Sequence, residues 1–216
     1  MFRGPFDTSI IKRAIVKGAV TITYVDIRDF ATDKHKSVDE HPYGGGAGMI
    51  LRVDIVARAI DYAKNLHPKE KTYSILMDPQ GKQFVQPMAK HLAATVEHLI
   101  LLCGHYEGVD ERIRTLVDEE LSIGDYVLTC GELPAMVVVD AVVRLLPGVL
   151  KKEGVTANES FEEHLLEYPQ YTKPDMFNGN AVPEVLRSGD HKRIKTWQTQ
   201  QAIIKTKMRR PDLIKT

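Results

Sequence analysis

Cysteine is nearly absent from this chain: there are two in 216 residues, Cys103 and Cys130, without CxxC spacing and without a histidine-rich neighbourhood. That excludes a disulfide framework and a thiolate zinc site, so no metal ligands are assigned, and it points to a cytoplasmic compartment. Long apolar runs are missing too. None approaches the roughly 18 residues a membrane-spanning helix requires, and Met1 to Phe6 lacks the apolar stretch of a secretory signal, so no membrane association is expected. Net charge is zero, 29 basic residues against 29 acidic, which excludes nucleic-acid binding by overall charge alone. Neither GxGxxG nor GxxxxGK[ST] occurs, so an ordinary dinucleotide or P-loop phosphate site is not indicated.

What is present suits a globular fold. With 43% hydrophobic and 27% charged residues, the chain has material for one large core, or for a domain with a small appendage. Asp7-Thr8-Ser9 can cap a helix carrying Ile10, Ile11, Ala14 and Ile15 until Gly18 ends it. Val20 to Val25 alternates like a strand. Val56, Ala59, Ile60 and Ala63 mark a helix, Tyr73 to Met77 a strand closed by a turn at Asp78-Pro79-Gln80-Gly81, Pro87 to Ala94 a helix, His98 to Cys103 a strand, and Ala135 to Leu146 a helix. Strands alternating with helices at this spacing predict an α/β fold with a mostly parallel sheet covered on both faces. After Leu146 the pattern breaks. Residues 147–167 are polar and poorly periodic and Pro169, Pro174 and Pro183 prolong the break, so the expected organisation is a domain over 1–150, a flexible linker over 151–170 and a small helical domain over 171–216.

Three glycine-bearing segments stand out. The strand ending at Cys103 stops abruptly at Gly104-His105-Tyr106-Glu107-Gly108-Val109-Asp110-Glu111-Arg112. Ser122-Ile123-Gly124-Asp125-Tyr126-Val127-Leu128, leading to Gly131-Glu132-Leu133-Pro134, repeats the order of strand, glycine turn and helix start. Loops at strand ends in an open α/β sheet are where ligands bind, so these two can face one crevice. Pro42-Tyr43-Gly44-Gly45-Gly46-Ala47-Gly48 pack no core, and their glycines serve either backbone freedom or close approach to a ligand. Charge is uneven as well: from Arg187 onward nine basic residues stand against Asp190 and Asp212, which suits either an anionic polymer or a solvated helix face.

These three segments, together with Arg144-Leu145-Leu146-Pro147-Gly148-Val149, Tyr171-Thr172-Lys173-Pro174 and Arg209-Arg210-Pro211-Asp212-Leu213, closely resemble the bacterial tRNA (guanine-N1)-methyltransferases of the TrmD family, along essentially the whole chain. That family belongs to the SPOUT methyltransferases. The resemblance implies a parallel sheet with a C-terminal trefoil knot, a fold that the general rarity of knots would otherwise disfavour. It also implies an apolar strand ahead of the segment matching Met1-Phe2, so the sheet is expected to lack its first strand. The implied activity is methyl transfer from S-adenosylmethionine to N1 of the guanosine immediately 3′ of the anticodon, by a homodimer whose active sites draw on both subunits. Magnesium dependence is implied by resemblance alone.

Carried over residue by residue, the resemblance puts cofactor contacts at Pro79, Gln80, Gly81, Gly104, Tyr106, Glu107, Ile123, Gly124, Asp125, Tyr126, Val127, Leu128 and Gly131. Without it, Ile123 and Leu128 would read as core. Arg144 matches the catalytic arginine, suited to offset charge growing on guanine O6, although an arginine in Ala141 to Leu146 can also snorkel to the surface. Glu159 stands where the family has the aspartate that serves as general base; the carboxylate is kept but moved by one methylene. Tyr43, Gly44, Gly45, Gly46 and Gly48 are implied to meet the target guanosine, and Lys205, Lys207, Arg209 and Arg210 to hold tRNA phosphates. His105 reads as a loop-positioning residue, and Trp197 as helix-packing core. Two rival readings remain: a SPOUT methyltransferase acting on another RNA position, and a noncatalytic tRNA-binding protein that has lost the chemistry.

Overall fold

The computed structural model describes residues 1–2, 4–150, 156 and 159–214. They fall into two compact units, Met1–Lys151 and Lys152–Thr216.

In the first unit, α1 (Ser9–Val16) ends through Lys17 at Gly18, as its apolar spacing predicts, and buries Ile11 and Ala14. Asp7 does not cap it; its carboxylate accepts from the Gly4 backbone N–H. The strand expected at Val20 to Val25 is not formed. Val20 and Ile22 do turn inward onto a cluster containing Phe6, Ile11 and Val143, but the segment belongs to none of the sheets of the described residues. Alternation supplies a side-chain period, whereas a strand also needs a neighbour to complete its hydrogen-bond ladder.

The short strands β1 (Asp39–Glu40) and β2 (Ile50–Leu51) pair antiparallel around the Tyr43 loop. Then come α2 (Val53–Leu66), β3 (Thr72–Gln83), α3 (Gln86–Thr95), β4 (His98–Cys103), β5 (Glu119–Ser122) and α4 (Glu132–Val143). The central sheet has the order β4-β3-β5, all parallel. Successive residues of β3 face opposite sides: Leu76 joins Ile55, Val56, Ile60 and Leu102 under α2, while Ile75 and Met77 join Ala89, Leu92, Ala135 and Val138 under α3 and α4. Ile75 and Leu76 are fully buried, each contributing about 1.5–3 kcal/mol. Both faces being covered is why β3 and β4 read as near-continuous apolar runs.

Two boundaries differ from expectation. Asp78 to Gly81 turns out of β3 without ending it: Leu121 of β5 pairs with Met77 and again with Lys82, so four residues bulge from a strand that then resumes. The last helix of this unit runs over Glu132–Val143 rather than 135–146. Pro134 sits in its first turn, where no intrahelical N–H is required, and Leu145 and Leu146 close tighter bonds to Val142 and Val143.

In the second unit, β6 (Met176–Phe177) and β7 (Asn180–Ala181) form a small hairpin, followed by α5 (Glu184–Arg187) and α6 (His191–Arg209). Of the segment expected to be a linker, the described residues 159–170 are tied into this unit: the Leu166 N–H donates to Thr206 Oγ1 at 2.8 Å, and Lys205 Nζ to the Glu167 carbonyl at 2.8 Å. Thr206, fully buried, also donates to the Ala202 carbonyl.

Candidate functional site

Beside the β3 bulge and at the C-terminal ends of β4 and β5 lies a cavity of about 300 Å³. Eleven of the thirteen expected cofactor residues line it: Pro79 and Gln80 from the β3 bulge, Gly104, Tyr106 and Glu107 after β4, and Ile123, Gly124, Tyr126, Val127, Leu128 and Gly131 between β5 and α4. The other two stand apart from the lining. Gly81 lies flat against β5, where an added Cβ would stand 2.5 Å from the Glu120 carbonyl carbon. Asp125 falls within the last loop but off the cavity surface.

Backbone packing holds the walls together. The Gly131 N–H donates to the Gly104 carbonyl at 2.7 Å, and a Cβ on Gly131 would stand 2.6 Å from Gly104 N, so the start of α4 can lie on the β4 loop only as glycine. Gly124 has φ +151°, a conformation that side chains rarely adopt. Tyr106 has φ +65°, and its hydroxyl accepts from Arg28 Nη2 at 3.0 Å. The loop after β4 is paired with the segment after the Tyr43 loop: the Glu107 N–H donates to Met49, Leu51 to Gly108, and Asp110 to Leu51. Gly48 presses on the Glu107 side chain, where a Cβ would collide. The Tyr43 loop is thus anchored to the cavity at its C-terminal end, while Tyr43 itself is fully exposed and Gly44, Gly45, Gly46 and Gly48 all have positive φ.

The cavity's electrostatics come partly from residues that sequence reasoning missed. Arg114, on a 3-10 turn over Glu111–Leu116, donates through Nε to Glu111 at 2.9 Å, through Nη1 to Glu120, and through Nη2 to Asp78 at 3.2 Å. The Asp78 and Arg114 side chains are 9% and 16% exposed, so this pair is not a solvent-screened surface contact. Burial opposes the Arg114 charge, but the carboxylates outweigh it and hold the guanidinium above its ordinary range. The only sequence signal was Asp78 itself, a turn former beside Pro79. Nearby, Glu132 Oε1 meets His105 Nε2 at 2.7 Å, while Oε2 is buried with no hydrogen-bond partner among the described residues. Burial works to raise the Glu132 carboxyl; the His105 hydrogen bond and the helix N–H overcome it, leaving a lowered value. Burial pushes the Cys103 thiol up to about 12, so it is inert at neutral pH.

Arg144 is half-buried at the C-cap of α4, a position where the helix dipole favours a cation. Glu159, in the second unit, is half-buried, and its carbonyl accepts from the Glu162 N–H. Among the expected tRNA-binding cations, Lys207 and Arg209 are exposed on the last turn of α6. Lys205 is engaged with Glu167, and Arg210 pairs with Asp212 at 2.6 Å with its guanidinium 6.0 Å from the Phe161 ring centre. Among the described residues no group of three or more His, Cys, Asp or Glu is placed to hold a metal ion, and no helix is long and apolar enough to cross a membrane.

Comparison with known proteins places the chain in a family. The family model described as tRNA (Guanine-1)-methyltransferase TrmD matches residues 1–216. The chain is 52% identical over 216 residues to a tRNA (guanine-N(1)-)-methyltransferase of Carboxydothermus hydrogenoformans, covering 100% of this chain and 83% of that one. It is 53% identical over 214 residues to the protein so named in Desulforudis audaxviator, covering 99% and 85%, and 51% identical over 215 residues to that of Geobacillus kaustophilus, covering 99% and 87%. With the match running from end to end, the chain belongs to the TrmD family of tRNA (guanine-1)-methyltransferases.

Proposed function

We propose that this protein is an enzyme that transfers a methyl group from S-adenosylmethionine to N1 of the guanosine immediately 3′ of the anticodon in tRNA. The observation that carries the reading is the meeting of two separate glycine-bearing loops and the β3 bulge, each within the family match, around one cavity.

The cavity suits the cofactor. Gly104, Gly124 and Gly131 carry no side chain to block an incoming base and ribose, and Glu107 brings to the lining a carboxylate that favours a ligand with sulfonium and ammonium charges, while Asp78 and Glu111 are paired with Arg114. The residues that would hold it are Pro79, Gln80, Gly104, Tyr106, Glu107, Ile123, Gly124, Tyr126, Val127, Leu128 and Gly131, with Gly81 and Asp125 supporting the loops behind them. When bound, S-adenosylmethionine supplies an electrophilic methyl group. Magnesium has no comparable fit among the described residues, and no step depends on it here.

Guanine N1 carries a proton in the neutral base, so making it a nucleophile requires a proton acceptor and a stabiliser for charge spreading onto O6. Glu159 takes the N1 proton and Arg144 donates to O6. The Tyr43 loop, with Gly44, Gly45, Gly46 and Gly48, admits the extruded base, since single-stranded loops are where proteins reach base edges. Lys205, Lys207, Arg209 and Arg210 meet phosphates. The same reading includes a SPOUT trefoil knot in the first unit, a homodimer sharing its active sites, and a cytoplasmic location.

The test is incubation with methyl-labelled S-adenosylmethionine and unmodified tRNA, followed by mapping of the label. Label on N1 of that guanosine is the expected result. Label at another nucleotide overturns the assigned position, and cofactor binding without transfer favours a noncatalytic tRNA-binding protein.

A further inference from the structure

The β3 bulge poses a problem that the sheet alone does not solve. Between Met77 and Lys82 the chain leaves the ladder, so sheet hydrogen bonds do not hold Asp78 to Gly81, yet Pro79 and Gln80 form one wall of the cavity. Besides the packing of Gly81 on the β5 backbone, two side-chain contacts among the described residues hold the loop, both through Asp78. Oδ1 accepts from the Gln80 N–H at 2.8 Å, closing a tight turn, and Oδ2 accepts from Arg114 Nη2 at 3.2 Å. Arg114 also binds Glu120, the β5 residue immediately before Leu121, whose pairing resumes after the bulge. One guanidinium therefore spans the gap between the bulged loop and the strand it has left. It stands on the 3-10 turn that follows the β4 loop, so it ties together the β3 bulge, the segment after β4 and the strand β5, all of which line the cavity. Glu111, largely exposed, adds little, because solvent screens that contact.

Resting on the cofactor reading above, we propose that Arg114 is a positioning residue, which fixes the Pro79–Gln80 wall through Asp78 and thereby sets affinity for S-adenosylmethionine without taking part in the chemistry. A wall held in the binding geometry beforehand avoids the ordering cost that a loose loop would carry at each binding event. Without the guanidinium, a nearly buried Asp78 carboxylate would turn toward water and release the Gln80 N–H.

The experiment compares Arg114→Met, Arg114→Lys, Asp78→Asn and the Arg114→Met/Asp78→Asn double variant with the parent in the full chain. Arg114→Met is expected to raise the calorimetric Kd and the KM for S-adenosylmethionine about tenfold, with kcat and the KM for tRNA within about twofold; Arg114→Lys recovers part of the loss. Residues that act through one contact couple rather than add, so the double variant is expected to bind no more weakly than the worse single variant. Ligand-free hydrogen exchange at the Gln80 amide should speed up in Arg114→Met and Asp78→Asn alike. Unchanged cofactor affinity, a fall in kcat matching the rise in KM, additive effects, or unchanged Gln80 exchange each overturn the proposal. The exchange readout needs no ligand, so a parent protein that binds no S-adenosylmethionine sinks the cofactor reading while the loop clamp is still judged by itself.

Discussion

Replacing Gly131 by alanine isolates the contact that seats α4 on the β4 loop. Gly131 has φ −79°, which alanine adopts readily, so backbone strain does not enter and the outcome depends on space. The new Cβ would stand 2.6 Å from Gly104 N and 2.7 Å from the Cys103 Cα, and neither backbone atom can rotate away. Overpacking of this kind costs about 1–3 kcal/mol. Lengthening the 2.7 Å Gly131–Gly104 hydrogen bond adds about 1 kcal/mol. Alanine's smaller unfolded-state entropy offsets about 0.4–1 kcal/mol of this. The net loss is about 2 kcal/mol, which lowers the Tm by about 4–8 °C for a chain of this length. Gly104→Ala is the control from the same contact: its Cβ would meet only Val109 Cγ1, at 3.6 Å, and its φ is not positive, so its stability should stay within about 0.5 kcal/mol of the parent. Thermal and urea unfolding of both variants decide the matter, with calorimetric S-adenosylmethionine binding as a second readout. A Gly131→Ala protein as stable as the parent, or a Gly104→Ala protein equally damaged, would refute the argument from space.

Three further outcomes are expected. Glu159→Gln should lower the single-turnover methylation rate by about a hundredfold, within the usual range for a lost general base, while calorimetric cofactor affinity stays intact; rates equal to the parent's would remove Glu159 from the proton transfer. Asp118 Oδ2 accepts from the Ser74 N–H at 2.7 Å and Ser74 Oγ at 2.6 Å, and although burial acts to raise its carboxyl, these bonds to fully buried Ser74 hold it below the ordinary value. Asp118→Ala should therefore cost about 1–3 kcal/mol at neutral pH. Because the folded value is the lower one, the advantage over the variant is complete above about pH 4 and disappears as pH falls through the folded value; urea unfolding that showed a constant gap down to about pH 2 would contradict this. Lys207→Ala with Arg209→Ala should weaken tRNA binding and reduce its logarithmic salt slope by about 1.4, from two lost contacts to single-stranded phosphates, leaving cofactor binding unchanged; an unaltered slope in filter-binding titrations would move the RNA footprint off the end of α6.

The parts of this protein that the sequence determined by itself are those whose signals come from near neighbours. His98 to Cys103 is an apolar run that ends where Gly104 and acidic residues begin, and β4 has those limits. The spacing of Val56, Ala59, Ile60 and Ala63 marks the buried stripe of α2 because helical side chains three and four apart share a face. Glycines that bend the backbone were legible as loops, and Gly44, Gly45, Gly46, Gly48, Gly108 and Gly124 all have positive φ. Tertiary structure decided whatever depends on a distant partner. Val20 to Val25 has the period of a strand and joins no sheet among the described residues; Asp78 to Gly81 reads as the end of a strand, yet β5 receives the chain again at Lys82. The ion cluster at the cavity joins Asp78 to Arg114 across 36 positions and Arg114 to Glu120 across six, where the local pattern shows only scattered charges. Whether such a charge is a solvated surface group or a clamp on the cavity wall is set by burial and by which carboxylates the fold brings within hydrogen-bond reach, and both follow from packing between segments far apart in the chain.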